Sequence, residues 1–321
     1  MGSWPGVDLP AVLRLTMGEL PDLPYLPELP ARGAAAGLVG RGIGLLLGLA
    51  ADLQPAGWRL TGADSGSSRD QRRAKAQIRD DLDQLEEQAH EWTGDFKLSF
   101  PGPWTMAGTV ELPRGELVLS DTGARRELTE ALGLGIADFI AEVERRLPQA
   151  TIRTQVDEPL LAAVLAGTLP TASGYRRHRA VDQPELSEGL EVVRAGRADV
   201  LHCCAVGTPW RTVIDAGFIP AADLDLLTAA DWDIFGPALD YGAELWLGVA
   251  PTHVPDEVPG PDQLAERALK ALRPLELGPG LADRIVLTPA CGLAGWTQRP
   301  AVQLLRNLTS AAAIVTEELA R

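Results

Sequence analysis

The chain has 321 residues and a formal charge of −15, from 29 Lys and Arg against 44 Asp and Glu. That balance argues against nucleic-acid binding, which relies on clustered cations. With 45% hydrophobic and 23% charged residues the chain can bury a substantial core, which excludes disorder as an overall description, and its length suits one large α/β domain over residues 1–321 better than two.

Taken in chain order, Met1–Trp4 reads as a strand stub, with either the true start upstream or a barrel that closes on that stub. No basic and apolar leader is visible there. Pro24–Glu28 is the next strand and Ala34–Leu49 a helix. The apolar run from Gly37 to Ala51 is interrupted by Arg41 and falls short of the roughly 20 residues that span a bilayer. Its glycines Gly40, Gly42, Gly44 and Gly48 follow no strand, so they read as close helix packing on a sheet and not as a nucleotide loop. Asp52–Ser68 reads as a long insertion after the second barrel helix. Arg69–Glu91 is a helix that begins basic (Arg69, Arg72, Arg73, Lys75, Arg79) and ends acidic. A solvated face explains this, and a docking patch for an acidic tail or partner is the sharper alternative.

Strands are then expected at Phe96–Pro101, Ile152–Asp157, Asp199–Cys203, Ala222–Leu226, Glu244–Val249 and Arg284–Thr288. Helices are expected at Gly123–Arg146, Leu186–Ala195, Ala229–Tyr241, Pro261–Leu272 and Gln298–Leu319. Pro170–Pro184 is a loop within one crossover. Regular strand–helix alternation implies a parallel sheet; with the stub, the strand count reaches the eight that close a (β/α)8 TIM barrel. A cytoplasmic enzyme without nucleic-acid or membrane partners is expected.

Barrel enzymes place their chemistry on the loops leaving the C-terminal strand ends. All three cysteines and two of the histidines fall at such ends. His202 and Cys204 are two residues apart, so their side chains leave on one side, and Cys291 ends the last strand. With one carboxylate they form an N/S/O set suited to zinc. Singly, His202 reads as a hydrogen-bonded core histidine and each Cys as a small buried hydrophobe; their shared placement favours metal. Redox chemistry at the vicinal Cys203–Cys204 pair is the rival, disfavoured because adjacent cysteines form only a strained disulfide.

Gly2-Ser3, Asp157-Glu158-Pro159, His202-x-Cys204, Gly248-Val249 followed by His253, and Pro289-x-Cys291-Gly292-Leu293 occur in that order. The pattern resembles the C-terminal catalytic barrel of the cobalamin-independent methionine synthase family, within the superfamily of uroporphyrinogen decarboxylase and corrinoid methyltransferases. The resemblance implies a catalytic zinc held by His202, Cys204 and Cys291, with Asp223, or alternatively Asp225, where the family has Glu. It also implies that Ser3, Glu28 and Asp157 hold the amino-acid part of homocysteine, which accepts a methyl group to give methionine. His253 matches the proton donor needed when methyltetrahydrofolate is the methyl source, since its ordinary pKa lies near neutrality. A methylcorrinoid or its carrier protein needs no such proton.

The family's pterin-stacking Trp would fall near Thr109 and a further Glu near Ala163. Trp4, Trp104 and Trp296 stand at strand-end loops as substitutes for the aromatic wall. A non-catalytic zinc- or corrinoid-binding barrel is the alternative function. A tetrapyrrole decarboxylase is a third reading, weakened by a metal set that such an enzyme does not need.

Overall fold

The computed structural model describes residues 2–62, 66–253 and 257–320. The chain begins with α1 (Leu9–Glu19), α2 (Leu38–Leu45), the hairpin strands β1 (Ala51–Gln54) and β2 (Gly57–Leu60), and α3 (Arg69–Ala89). It continues through β3 (Gly94–Pro101), α4 (Pro103–Ala107), α5 (Thr122–Arg146), β4 (Ala150–Asp157), α6 (Leu161–Ala166), α7 (Gln183–Ala195) and β5 (Val200–Cys203). The last part is α8 (Trp210–Asp215), β6 (Ile219–Asp223), α9 (Ala229–Asp240), β7 (Leu245–Ala250), α10 (Pro261–Leu272), β8 (Ile285–Pro289) and α11 (Gln298–Leu319). The helix starts carry their own chemistry. Ser68, Asp121 and Asp182 accept from backbone N–H groups three residues on, satisfying donors that have no intrahelical partner.

β3 to β8 form a six-stranded sheet in sequential order, every pair parallel. All six therefore end on the same side, as helical crossovers between parallel strands require. The N-terminal segment touches both edges. Tyr25 bridges Lys97 of β3 and Ser3 bridges Glu28, while Leu293 N–H, just past β8, donates to Ser3 O at 2.9 Å. The expected first two strands are thus single bridges and not extended strands, with Met1 outside the described residues.

Other differences have local causes. The predicted strand at Ala222–Leu226 lies three residues earlier, because Pro220 masks it in sequence; Pro220 pairs with Leu201 inside the parallel ladder. Leu224–Leu226 is a 3₁₀ turn fixed by Asp223 Oδ1, which accepts from Asp225 N–H at 3.0 Å. The described part of the expected insertion holds the hairpin β1–β2, whose Trp58 is buried; residues 63–65 of that expectation lie outside the described ones. α1 is not among the expected helices, although Asp8 with Pro10 in the first turn marks its start. No described helix is long and apolar enough to cross a membrane.

The packing reading of the glycine-rich helix holds. A Cβ on Gly42 would sit 2.6 Å from Pro101 Cγ at the end of β3, and one on Gly44 would sit 2.6 Å from Ile78 of α3. α3 is less simple than a solvated face. Arg69, Arg72 and Arg73 are exposed, but Asp81 is buried and takes Arg32 at 2.7 Å and Arg41 at 2.9 Å. A buried carboxylate between two guanidiniums is charge-compensated on both oxygens, and it ties α3 to the segment that carries Glu28.

Candidate functional site

The strand ends bring His202, Cys204 and Cys291 together, with one nitrogen or sulfur of each within 4.8 Å of the others. The two sulfurs are 3.5 Å apart although 87 residues separate them in sequence. His202 is buried, and its Nδ1 lies 3.0 Å from the carbonyl oxygen of Ala221 on β6. A carbonyl only accepts, so Nδ1 carries the proton and Nε2 presents a lone pair. Nε2 is buried and makes no hydrogen bond among the described residues. That orphaned acceptor beside two thiols is what a soft divalent cation needs, so the residues present fit zinc. Cys204 Sγ donates to Cys291 Sγ, and this hydrogen bond drives the Cys204 thiol up and Cys291 well below the ordinary thiol range.

Cys203 is separate. It is buried, takes a hydrogen bond from Thr208 Oγ1 at 3.1 Å, and burial pushes its thiol up to about 11, which suits an inert core residue. Asp223 ends the neighbouring strand β6, half-buried, with burial raising its carboxyl and the hydrogen bond it accepts from Asp225 N–H counteracting this. It lies outside the cluster of three. Asp225 is exposed and bound to Arg267 at 2.6 Å, so of the two aspartates Asp223 is the one left near the site.

The substrate candidates line up around the same strand ends. Asp157 ends β4 directly beside His202, in register with it. Glu28 N–H donates to Gly2 O at 2.9 Å and Trp4 N–H to Glu28 O at 2.8 Å, holding Ser3 against Glu28. On the other side a Cβ at Gly292 would lie 2.0 Å from Ser3 Oγ, so only glycine lets the loop after Cys291 approach Ser3 this closely. Ser3 thus sits between Glu28 and the loop after Cys291, while Asp157 stands beside His202. Glu28 is buried, with Arg41 3.9 Å away and Oε1 without a hydrogen bond among the described residues.

Glu158 has a structural task. It is fully buried and accepts from Trp104 N–H at 2.9 Å, Thr105 N–H at 2.7 Å and Thr105 Oγ1 at 2.6 Å, clamping the start of α4 onto the end of β4. Burial pushes both Glu28 and Glu158 up from 4.5 to about 7. An acid whose pKa is higher in the folded than in the unfolded state stabilises the fold fully below its unfolded value, and that contribution is lost as pH rises through its folded value. Urea unfolding of the metal-free protein is accordingly expected to show the stability of wild type relative to Glu158→Gln, a comparison that cancels the other titrating groups, falling by about 2–4 kcal/mol between about pH 5 and pH 8. A flat or rising profile would contradict this burial.

Sequence alone does not mark Lys97 and Gln155 as site residues, because a lone Lys and a lone Gln inside apolar strands form no pattern. Both are buried beneath the carboxylates, and burial brings the Lys97 ammonium down to about 8 against the opposing pull of Asp157 and Glu28. His253, by contrast, is exposed on the loop after β7, and the structure does not bring it into the cluster. Trp4, Trp104 and Trp296 are buried in the core, which corrects the expectation that they substitute for an aromatic wall. Thr109 is exposed.

Residues 116–314 match the family model for the catalytic domain of cobalamin-independent synthase. Among solved structures, a B12-independent methionine synthase from Shewanella sp. W3-18-1, in complex with selenomethionine, superposes with a TM-score of 0.64 at 15% identity, covering 97% of this chain and 88% of that one. At that identity the likeness speaks to the fold alone. A proposed α-L-fucosidase from Bacteroides thetaiotaomicron VPI-5482 overlaps with a TM-score of 0.31 at 12% identity over 77% of this chain and 63% of that one, too slight an overlap to carry an argument. No curated protein matches the sequence.

Proposed function

This chain belongs to the cobalamin-independent synthase family, and on that premise we propose that it is a zinc-dependent methyltransferase that methylates the thiol of homocysteine to give methionine. The observation that carries the reading is the buried lone pair of His202 Nε2 beside the paired sulfurs of Cys204 and Cys291. In this reading those three residues hold Zn²⁺ and Asp223 is the fourth ligand. Aspartate is one methylene shorter than the family's glutamate, and Asp223 lies outside the cluster of three. When bound, zinc supplies the Lewis acidity that makes a thiol deprotonate near neutral pH, where its free pKa is about 8.5.

The chain's own residues do the rest. Asp157 and Glu28 take the α-ammonium of the substrate, and Ser3 with its backbone takes the α-carboxylate. Fixing both ends leaves the sulfur in one place beside the strand ends, where a methyl group can be met in line. The selenomethionine bound by the Shewanella enzyme is a product-like amino acid of this class. The N-terminal bridges and the Leu293–Ser3 hydrogen bond support closure of the sheet into a (β/α)8 barrel, one domain over residues 1–321 with the hairpin β1–β2 as its insertion. Three free thiols suit a reducing, cytoplasmic setting.

Two methyl donors fit the reading. A methyltetrahydrofolate needs its leaving nitrogen protonated, a task for His253, whereas a methylcorrinoid does not. Burial of Trp4, Trp104 and Trp296 leaves none of them a face to stack on a pterin, which favours the corrinoid. The zinc-loaded protein is expected to form methionine from homocysteine with methylcobalamin and at least ~10-fold more slowly with methyltetrahydrofolate, a split of about 1.4 kcal/mol in barrier. Product is read by mass spectrometry. The reverse ratio would install the folate and His253. Methionine binding without turnover from either donor would point to the non-catalytic zinc- or corrinoid-binding barrel.

A further inference from the structure

Below the carboxylates runs a buried chain of three side chains. Lys97 Nζ lies 3.0 Å from Gln155 Oε1 and 3.0 Å from Ser99 Oγ, and Gln155 Nε2 lies 2.6 Å from Asp157 Oδ1. β3 and β4 pair with Ser99 opposite Gln155 and Pro101 opposite Asp157, so alternate residues of both strands share one face. Lys97 is 3% exposed and Gln155 0%. The ammonium also stands over the rings of Tyr25 at 5.6 Å and Trp246 at 5.8 Å, which hold it in place from the far side.

This order has a chemical consequence. A carboxamide presents an acceptor at one end and donors at the other, an ammonium only donates and a carboxylate only accepts. Between Lys97 and Asp157, Gln155 has one permitted orientation, with its oxygen to the lysine and its NH2 to the carboxylate. Without the lysine, the buried amide oxygen loses its donor, and the Gln155 side chain is drawn away from Asp157 toward another one. We propose that Lys97 and Gln155 are positioning residues for the amino-acid substrate: Lys97 fixes the sense of the Gln155 amide, and Gln155 fixes the Asp157 carboxylate that receives the α-ammonium. The proposal rests on the reading of Asp157 as the ammonium partner.

The test is calorimetric titration of the zinc-loaded full chain with L-methionine and with its deaminated counterpart, 4-(methylthio)butanoate. Wild-type protein is expected to prefer methionine at least ~10-fold, the scale of one charge-assisted hydrogen bond. Lys97→Met and Gln155→Leu are each expected to weaken methionine about 10-fold while changing the analogue less than about 2-fold. Lys97→Arg, which keeps a donor-only head, is expected to stay within about 3-fold of wild type. If Lys97→Met fails to fold, Gln155→Leu carries the test alone. Retained selectivity in the variants, or equal weakening of both ligands, overturns the positioning role. A wild type that does not favour methionine overturns the functional reading itself, and is told apart because it shows before any substitution.

Discussion

Serine in place of Cys204 or Cys291 is expected to leave a folded protein with less than about a tenth of the wild-type zinc, and methyl transfer slower by at least about 1000-fold. The sulfurs stand 3.5 Å apart, and the His202 lone pair is fixed toward them by the hydrogen bond from Nδ1 to Ala221 O. Serine keeps the volume but replaces a soft, ionisable donor with a hydroxyl that does not deprotonate at neutral pH, so the cation loses both charge and softness. Two controls make the outcome specific. Cys203→Ser should keep its zinc, since Cys203 is buried against Thr208. Asp223→Ala should lose only part of it, because Asp223 lies outside the cluster of three. Metal content after dialysis against a chelator, with urea unfolding as the folding control, decides the matter. Full zinc in both Cys204→Ser and Cys291→Ser would remove them from the ligand set.

Asp157→Asn is expected to raise the homocysteine KM by about 100-fold with zinc content unchanged, a loss of about 2–3 kcal/mol typical of a charge-assisted contact. Asparagine is nearly isosteric and its Oδ1 still accepts from Gln155 Nε2, which now reaches Asp157 at 2.6 Å. The substitution therefore removes charge and leaves shape. Glu28→Gln should cost less near neutral pH, because burial already holds Glu28 near 7 and part of the population is protonated there. Steady-state kinetics in homocysteine, together with metal analysis, separates the two effects. A KM unchanged by Asp157→Asn would assign the α-ammonium to another group, and loss of zinc would show that Asp157 supports His202, its neighbour across the ladder.

The legible parts of this protein are those whose signal is local. Pro261–Leu272 and Gln298–Leu319 are helices within the bounds their periodicity predicts, because their amphipathic spacing is undisturbed. The β3 and β4 strands were legible as short apolar runs ending in turn residues. β6 begins three residues before its expected start, because Pro220 is a poor local match to a strand that the parallel ladder nonetheless tolerates. α8 (Trp210–Asp215) is one short turn-and-a-half of helix, too brief for a periodic pattern to rise above its neighbours.

The amino-acid order alone determined the parallel α/β class and the candidate metal set His202, Cys204 and Cys291, because strand–helix rhythm and residue type are properties of neighbours along the chain; Asp157, Glu28 and Ser3 came as candidates through the family resemblance of its motifs. Tertiary structure decided what those residues do to one another: which histidine nitrogen is free, that Cys203 stands apart, that Glu158 clamps α4, and that Lys97 reaches Asp157 through Gln155. It also decided that the three tryptophans belong to the core and that His253 stands outside the cluster. Hydrogen-bond direction, burial and the approach of sulfurs 87 residues apart depend on which strands become neighbours, and that is settled only when the sheet forms.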